Sequence, residues 1–65
     1  MKPIKIADDV IISGTLTGLG DIEGTVIELY NIDGVPYIRA RINAHYQILT
    51  RRQSVSGQAK FFTKI

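Results

Sequence analysis

The side chains of this chain that could act as nucleophile and base are few. His45 is the only imidazole, and Ser54 and Ser56 are the serines nearest to it in the sequence. Nucleophilic catalysis needs a serine that is held against its base, and the spacing of these residues does not provide that. A histidine beside a turn is most simply a solvated residue, so no catalytic serine is predicted.

Carboxylate pairs are a second possible source of chemistry, because paired acids can hydrolyse substrates or bind magnesium. The pairs are Asp8 with Asp9, and Asp21 with Glu23. Hydrolysis needs opposed carboxylates across a cleft, and a chain of 65 residues offers little cleft. We interpret these acids as turn and surface residues.

Glycines are dense in the stretch GTLTGLGDIEG, residues 14–24. Phosphate-binding loops lead from glycines into a helix, and the triphosphate version adds a lysine. Here a strand is predicted to follow, lysine is absent and two acids would repel phosphate. The glycines predict instead a long loop that leads into a bent strand.

Charge is divided unequally along the chain. Residues 1–34 carry all six acids beside two lysines, a net charge of −4, and residues 35–65 carry six basic residues and no acid, a net charge of +6. This asymmetry indicates an anionic partner for the second part. The alternative is that the two parts neutralise each other across adjacent strands.

The second part also contains the most informative group of residues, which we call the predicted basic face. Guanidinium groups bind phosphates bidentately, and aromatic rings stack on bases. Such a composition is typical of small β modules that bind DNA or RNA. It also fits a solvated or ion-paired surface, or a site for a small anionic ligand. The predicted members are Arg39, Arg41, Arg51, Arg52, Tyr37, Tyr46 and Gln47.

The elements that must hold these residues are predicted to be strands, because short apolar runs alternate with period two between turn residues. The third strand places Ile38, Ala40 and Ile42 on the core face. A three-residue turn at 43–45 would add Tyr46 and Ile48 to the core and leave Gln47 outside. Strands are predicted at residues 10–13, 25–30, 37–42, 46–50 and 58–63, and an extended piece at 4–6. A turn is predicted at 31–34, and a turn or a short 3₁₀ segment at 51–57.

Size and composition limit the class of protein. The chain suffices for one domain, residues 1–65, with a small core. It has no cysteine, which excludes disulfides and thiolate metal sites and fits a cytoplasmic location. We expect no metal, no cofactor, no membrane span and no signal peptide. A scaffold of this size is either a self-sufficient barrel or part of a homo-oligomer.

The segment DDVIISGTLTGLGDIEGTVIELYNIDGVPYIRARI resembles the opening of small SH3-like barrels of the KOW or Tudor type. Asp9-Val10 and Gly24-Thr25-Val26 occupy the places of the first two strand motifs in that family. The resemblance covers roughly residues 8–50 and implies an all-β, five-stranded SH3-like barrel. The partners that it implies are RNA, DNA and protein tails.

A second segment is similar to the plasmid-encoded type II dihydrofolate reductases, which are homotetrameric SH3-like barrels with a Val-Gln-Ile-Tyr run. Gln47 and Ile48 match that run, and Ala44-His45 precedes it, whereas Leu49 replaces the tyrosine. The family uses that tyrosine and the glutamine to hold cofactor and pterin. The leading hypothesis is therefore a non-enzymatic nucleic-acid-binding module. A protein-interaction or self-assembly module and a reductase-like enzyme are the alternatives.

Overall fold

A computed structural model describes residues 3–65 of the chain. It is a small all-β fold with a single antiparallel sheet of five strands in the order β4-β3-β2-β1-β5. The expected all-β class and the number of strands are thus confirmed. Met1 and Lys2, which belong to the N-terminal segment where we expect no signal peptide, lie outside the described residues. The elements are β1 (Asp9–Ile12), α1 (Gly14–Thr17), β2 (Ile22–Ile32), β3 (Val35–Ile42), α2 (Ala44–Thr50), β4 (Ser54–Gln58), a 3₁₀ turn (Ala59–Phe61) and β5 (Phe62–Lys64).

The first three strands lie close to their predicted positions. β2 and β3 are longer than predicted and continue to a two-residue turn at Asp33 and Gly34, whose φ angles are 50° and 80°. Two left-handed residues match the twist of a hairpin, and Asp-Gly is a favoured pair for them. Ser13, predicted to end β1, instead caps α1 by accepting a bond from the Thr15 amide. Residues 4–6 do not form a strand.

The predicted fourth strand, residues 46–50, is wrong, because these residues belong to helix α2. Asn43 begins the helix, since its side-chain oxygen accepts a hydrogen bond from the His45 amide at 3.1 Å. Asparagine is among the preferred residues at this position. The helix ends at Arg51, which adopts a left-handed conformation with φ 57°.

The last part of the sheet is correspondingly shifted from the prediction. Residues 54–57, predicted as turn, form β4 together with Gln58. The rest of the predicted strand at 58–63 divides into the 3₁₀ turn and the first two residues of β5. β5 pairs with β1, so that Val10 lies opposite Lys64. A short apolar run does not by itself distinguish a strand from a helix, which explains the error.

The core lies on one face of the sheet and contains only apolar side chains. The prediction for β3 is confirmed, since Ile38, Ala40 and Ile42 are all buried. The prediction for Ile48 is wrong, because 84% of this residue is exposed on α2. Within residues 3–65, the buried apolar side chains all come from the five strands: Val10, Ile12, Ile22, Val26, Ile38, Ala40, Ile42, Val55 and Phe62.

Gly24 is required where β2 passes closest to its neighbours. A Cβ atom at this position would lie 2.7 Å from the Arg41 carbonyl oxygen and 2.7 Å from Cδ1 of Ile12. Shortly after it, the register of β2 against β3 shifts by one residue between Val26 and Glu28. This β-bulge bends the strand and begins the outer half of the β2–β3 hairpin.

Candidate functional site

The outer face of the sheet, opposite the core, receives three residues of the predicted basic face. Alternation along β3 places Tyr37, Arg39 and Arg41 there, each exposed or half-buried. In the sheet Arg41 lies between Thr25 and Ser54. Both cross-strand partners of Arg41 are therefore uncharged hydroxyl residues.

Arg39 is differently placed, because it lies between Glu28 and Ser56. Its Nε is 3.6 Å from Oε1 of Glu28, and both side chains are about half exposed, at 49% and 52%. An exposed pair of this kind contributes little to stability. It does neutralise Arg39, as the alternative of neutralisation across adjacent strands predicts for this one pair.

Arg51 and Arg52 are brought to the end of β3, where α2 returns to the sheet. The amide of Ile42 donates to the Gln53 carbonyl at 2.8 Å, which closes the excursion formed by α2. Both arginines are exposed. Within residues 3–65, no carboxylate pairs with Arg41, Arg51 or Arg52.

Tyr46 and Gln47 are not brought to the outer face. Tyr46 packs against the core from α2 and meets the His45 ring edge-on, with centroids 5.1 Å apart. The Gln47 side chain donates from Nε2 to the Ile42 carbonyl at 2.7 Å. Both residues therefore fix α2 to the end of β3.

Tyr30 is a residue of the outer face that the sequence analysis missed. Its ring stacks on that of Tyr37, with centroids 5.6 Å apart and planes inclined by 22°. The signal was present in the sequence, because a two-residue Asp-Gly turn places residues 30 and 37 opposite each other. The pair forms an aromatic surface beyond Arg39.

An apolar groove of about 960 Å³ lies at the same end of the hairpin, on the core side. Its floor comes from β2 and β3, where Leu29 and Ile38 are Cα partners. Phe62 and the half-buried Ala59 form the opposite wall, and Ile65 extends it. Two lysines, Lys60 and Lys64, line the groove and no acid does. It is therefore apolar within and positive at its rim.

The lysines at the rim differ in their partners. Lys64 pairs with Asp8 at 3.2 Å. Lys60 lies over the Phe61 ring, 5.2 Å from its centroid. The Lys5 amide donates to the Asp8 carboxylate at 2.8 Å and, with help from Lys64, holds the pKa of Asp8 below its ordinary value.

The carboxylates considered for catalysis take part in local structure. Asp21 accepts a hydrogen bond from the Gly14 amide at 2.9 Å, which braces the glycine-rich segment. Asp9 accepts one from the Thr25 hydroxyl at 3.2 Å. Among residues 3–65, no three potential metal-ligating side chains come together. No helix in that range is long and apolar enough to cross a bilayer.

The groove and the outer face are thus the two surfaces whose side chains are suited to binding a partner. Comparisons with protein-family models, with curated proteins and with solved structures find nothing that matches this chain.

Proposed function

We propose that this protein is a small interaction module that binds a segment of a partner protein in the groove. The groove itself carries the proposal, because it is a large apolar concavity on a chain with only 4571 Å² of surface. Concave apolar sites with few polar groups are where ligands are usually bound. A partner would cover Leu29 and Ile65, which are 43% and 65% exposed.

The strand arrangement supports a related proposal about the fold. A glycine-rich segment follows β1 and a single 3₁₀ turn precedes β5, an arrangement that fits the SH3-like barrel implied by the resemblance. We propose that relation here, and small barrels of this kind serve many functions. The argument for the groove rests on its residues and does not depend on the relation.

A displayed library of random dodecapeptides, selected against the immobilised protein, tests the proposed function. We expect selected peptides to bind in calorimetry and to lose at least tenfold in affinity with Leu29→Asp, which puts a charge in the groove. Arg41→Gln on the opposite face is the matched control and should leave the affinity unchanged. Circular dichroism establishes that both variants fold. A selection without Leu29-dependent peptides contradicts the proposal.

Nucleic-acid binding by the outer face is a second candidate, favoured by a specific observation. Arg41, Arg51 and Arg52 have no carboxylate partner within residues 3–65, and the Tyr30–Tyr37 stack offers an aromatic surface farther along the outer face, beyond Arg39. Phosphate contacts of this kind position a nucleic acid without reading its sequence. The Arg39–Glu28 pair opposes such binding, so we rank this candidate second.

A filter-binding titration against salt tests the second candidate with single-stranded DNA and RNA as probes. Binding through phosphates requires an affinity that falls steeply as salt rises, with a shallower slope in Arg41→Gln. Leu29→Asp is the control here and should not change the slope. Absence of binding at low salt, or binding without salt dependence, excludes this function.

We do not propose a reductase-like activity for this protein. It was suggested by the run at residues 46–49, which we expected in a strand. That run lies in α2, and the side-chain amide of Gln47 donates a hydrogen bond to the Ile42 carbonyl. One amide hydrogen of Gln47 is thus used inside the chain, and the run lacks the strand conformation on which the resemblance was based.

A further inference from the structure

β1 and β2 have unequal lengths, and this leaves part of β2 without a neighbour on one side. β1 pairs with β2 only as far as Asp9 opposite Thr25. The chain before β1 then makes two further bonds, from the Ala7 amide to the Val26 carbonyl and from the Val26 amide to the Asp8 carbonyl. Beyond Val26, β2 continues to Ile32, and within residues 3–65 only β3 pairs with it there.

The direction of the backbone groups along this outer half follows from the hairpin turn. A two-residue turn is flanked by a pair that exchanges both hydrogen bonds, here Ile32 with Val35, and the pattern alternates from there. The backbone amide and carbonyl of Tyr30 therefore point towards β3, whereas those of Leu29 and Asn31 point away from it. Pro36 is opposite Asn31 and has no amide proton, which agrees with a pair that exchanges no bond.

The groove lies beside this free edge. Leu29, Tyr30 and Asn31 all line it, and they belong to the stretch of β2 that pairs only with β3 within residues 3–65. Across the groove lie Pro3 and Ile4 and the end of β5. Within residues 3–65, the site thus combines backbone donors and acceptors that have no partner strand, an apolar floor and two lysines, of which Lys64 is paired with Asp8.

We infer that the groove accepts an extended segment of a partner protein, which adds a strand to the edge of β2 at Leu29 and Asn31. This inference rests on the proposed function of the groove. Strand addition obtains affinity from main-chain hydrogen bonds and specificity from alternate side chains. The partner segment therefore carries apolar residues at every second position, directed to the groove floor, and at least one carboxylate that meets Lys60.

The chemistry of the site favours an extended protein segment over other ligands. A helix satisfies its own backbone groups and would leave those of Leu29 and Asn31 unpaired. Free strand edges are commonly protected by charges or prolines. Here the outer half of β2 instead exposes apolar side chains, with Ile27 46% and Ile32 49% exposed. The acid-free, lysine-bearing rim complements a negatively charged segment.

The test uses the peptides selected from the displayed library. Their sequences should alternate apolar residues with others and should be rich in acids. Each peptide is then synthesised in two N-methylated forms, one with methyl groups on its odd amides and one on its even amides. We expect one form to lose at least tenfold in affinity and the other less than threefold, because only every second amide of an added strand faces β2.

Variants of the protein provide a second measurement. Asn31→Pro removes an outward amide and no bond to β3, and should weaken binding at least tenfold. Lys60→Glu should weaken acidic peptides several-fold, whereas Lys5→Glu, outside the groove lining, is the matched charge control. Should Asn31→Pro fail to fold, the N-methylated peptides still decide the question.

The outcomes separate this inference from the proposed function. Peptides that depend on Leu29 but lose affinity equally, or not at all, in both N-methylated forms overturn the strand inference alone. A selection that yields no Leu29-dependent peptide overturns the proposed function together with the inference. A dimer in light scattering that Asn31→Pro abolishes overturns the assignment to a different protein, because a second copy would then occupy the edge.

Discussion

Replacing Gly24 by alanine should destabilise the protein because of one close approach in the sheet. The added Cβ would lie 2.7 Å from the Arg41 carbonyl oxygen, which belongs to the paired strand and cannot turn aside. Forcing an atom into a packed site costs about 1–3 kcal/mol. The loss of glycine's freedom in the unfolded chain returns ~0.4–1 kcal/mol. We expect a net destabilisation of about 1–2 kcal/mol.

The measurement is thermal and urea unfolding followed by circular dichroism. For a domain of this size, that free energy lowers Tm by roughly 5–15 °C. Gly57→Ala is the matched control, since its Cβ would meet the Leu16 side chain at 2.8 Å rather than a backbone atom. A leucine methyl group can move, so the control should lose clearly less. Unchanged stability of Gly24→Ala, or a larger loss in Gly57→Ala, would refute the reasoning.

Three further changes test the remaining local structure. Ile48→Lys should alter the free energy of unfolding in urea by no more than about 0.5 kcal/mol, because Ile48 is 84% exposed. A larger loss of stability would mean that the Ile48 side chain is buried. Gln47→Ala should cost about 0.5–1.5 kcal/mol in the same assay, because it removes the 2.7 Å bond to the Ile42 carbonyl, and an unchanged midpoint would contradict that bond. Asp8 has a lowered pKa in the folded state, so its carboxylate stabilises the fold above its ordinary pKa and loses this effect as the pH falls through the folded value. Asp8→Asn should therefore flatten the fall of Tm below about pH 4, and an identical acid limb would contradict the shift.

The parts of the fold that could be predicted from sequence are those where local pattern and tertiary structure agree. In β3, strict alternation identifies Ile38, Ala40 and Ile42 as core and the arginines as outward-facing. The Asp33-Gly34 pair predicts the hairpin turn because few other residues accept two left-handed conformations. The register shift after Val26 had no visible signal, because a bulge depends on contacts along both strands.

α2 was misread because its apolar residues suggested a strand, whereas a short capped helix carries them. Ile48 and Leu49 are exposed, and only Tyr46 of that run packs against the core. Asn43 was the available signal, since asparagine before a run of helix-tolerant residues favours a helix start. β4 was missed for the opposite reason. Val55 is its only buried residue, too few for a periodic pattern.

Only part of the predicted basic face forms one surface. Arg39, Arg41 and Tyr37 share the outer face, but Gln47 and Tyr46 depend on α2 and do not reach it. Some of the opposite charges of the two parts of the chain neutralise each other in ion pairs. Both ion pairs within residues 3–65 join an acid of the first part to a base of the second.

The pairing of β1 with β5 has a consequence for how the chain acquires its structure. Val10 lies opposite Lys64, so a contact at the β5 edge of the sheet joins positions far apart in the sequence. Such contacts form late, because a long loop must close before they stabilise anything. During synthesis, the edge of β1 that pairs with β5 therefore stays unpaired until residues 62–64 have left the ribosome. That interval is when a nascent chain of this protein would be most exposed to aggregation and to capture by chaperones.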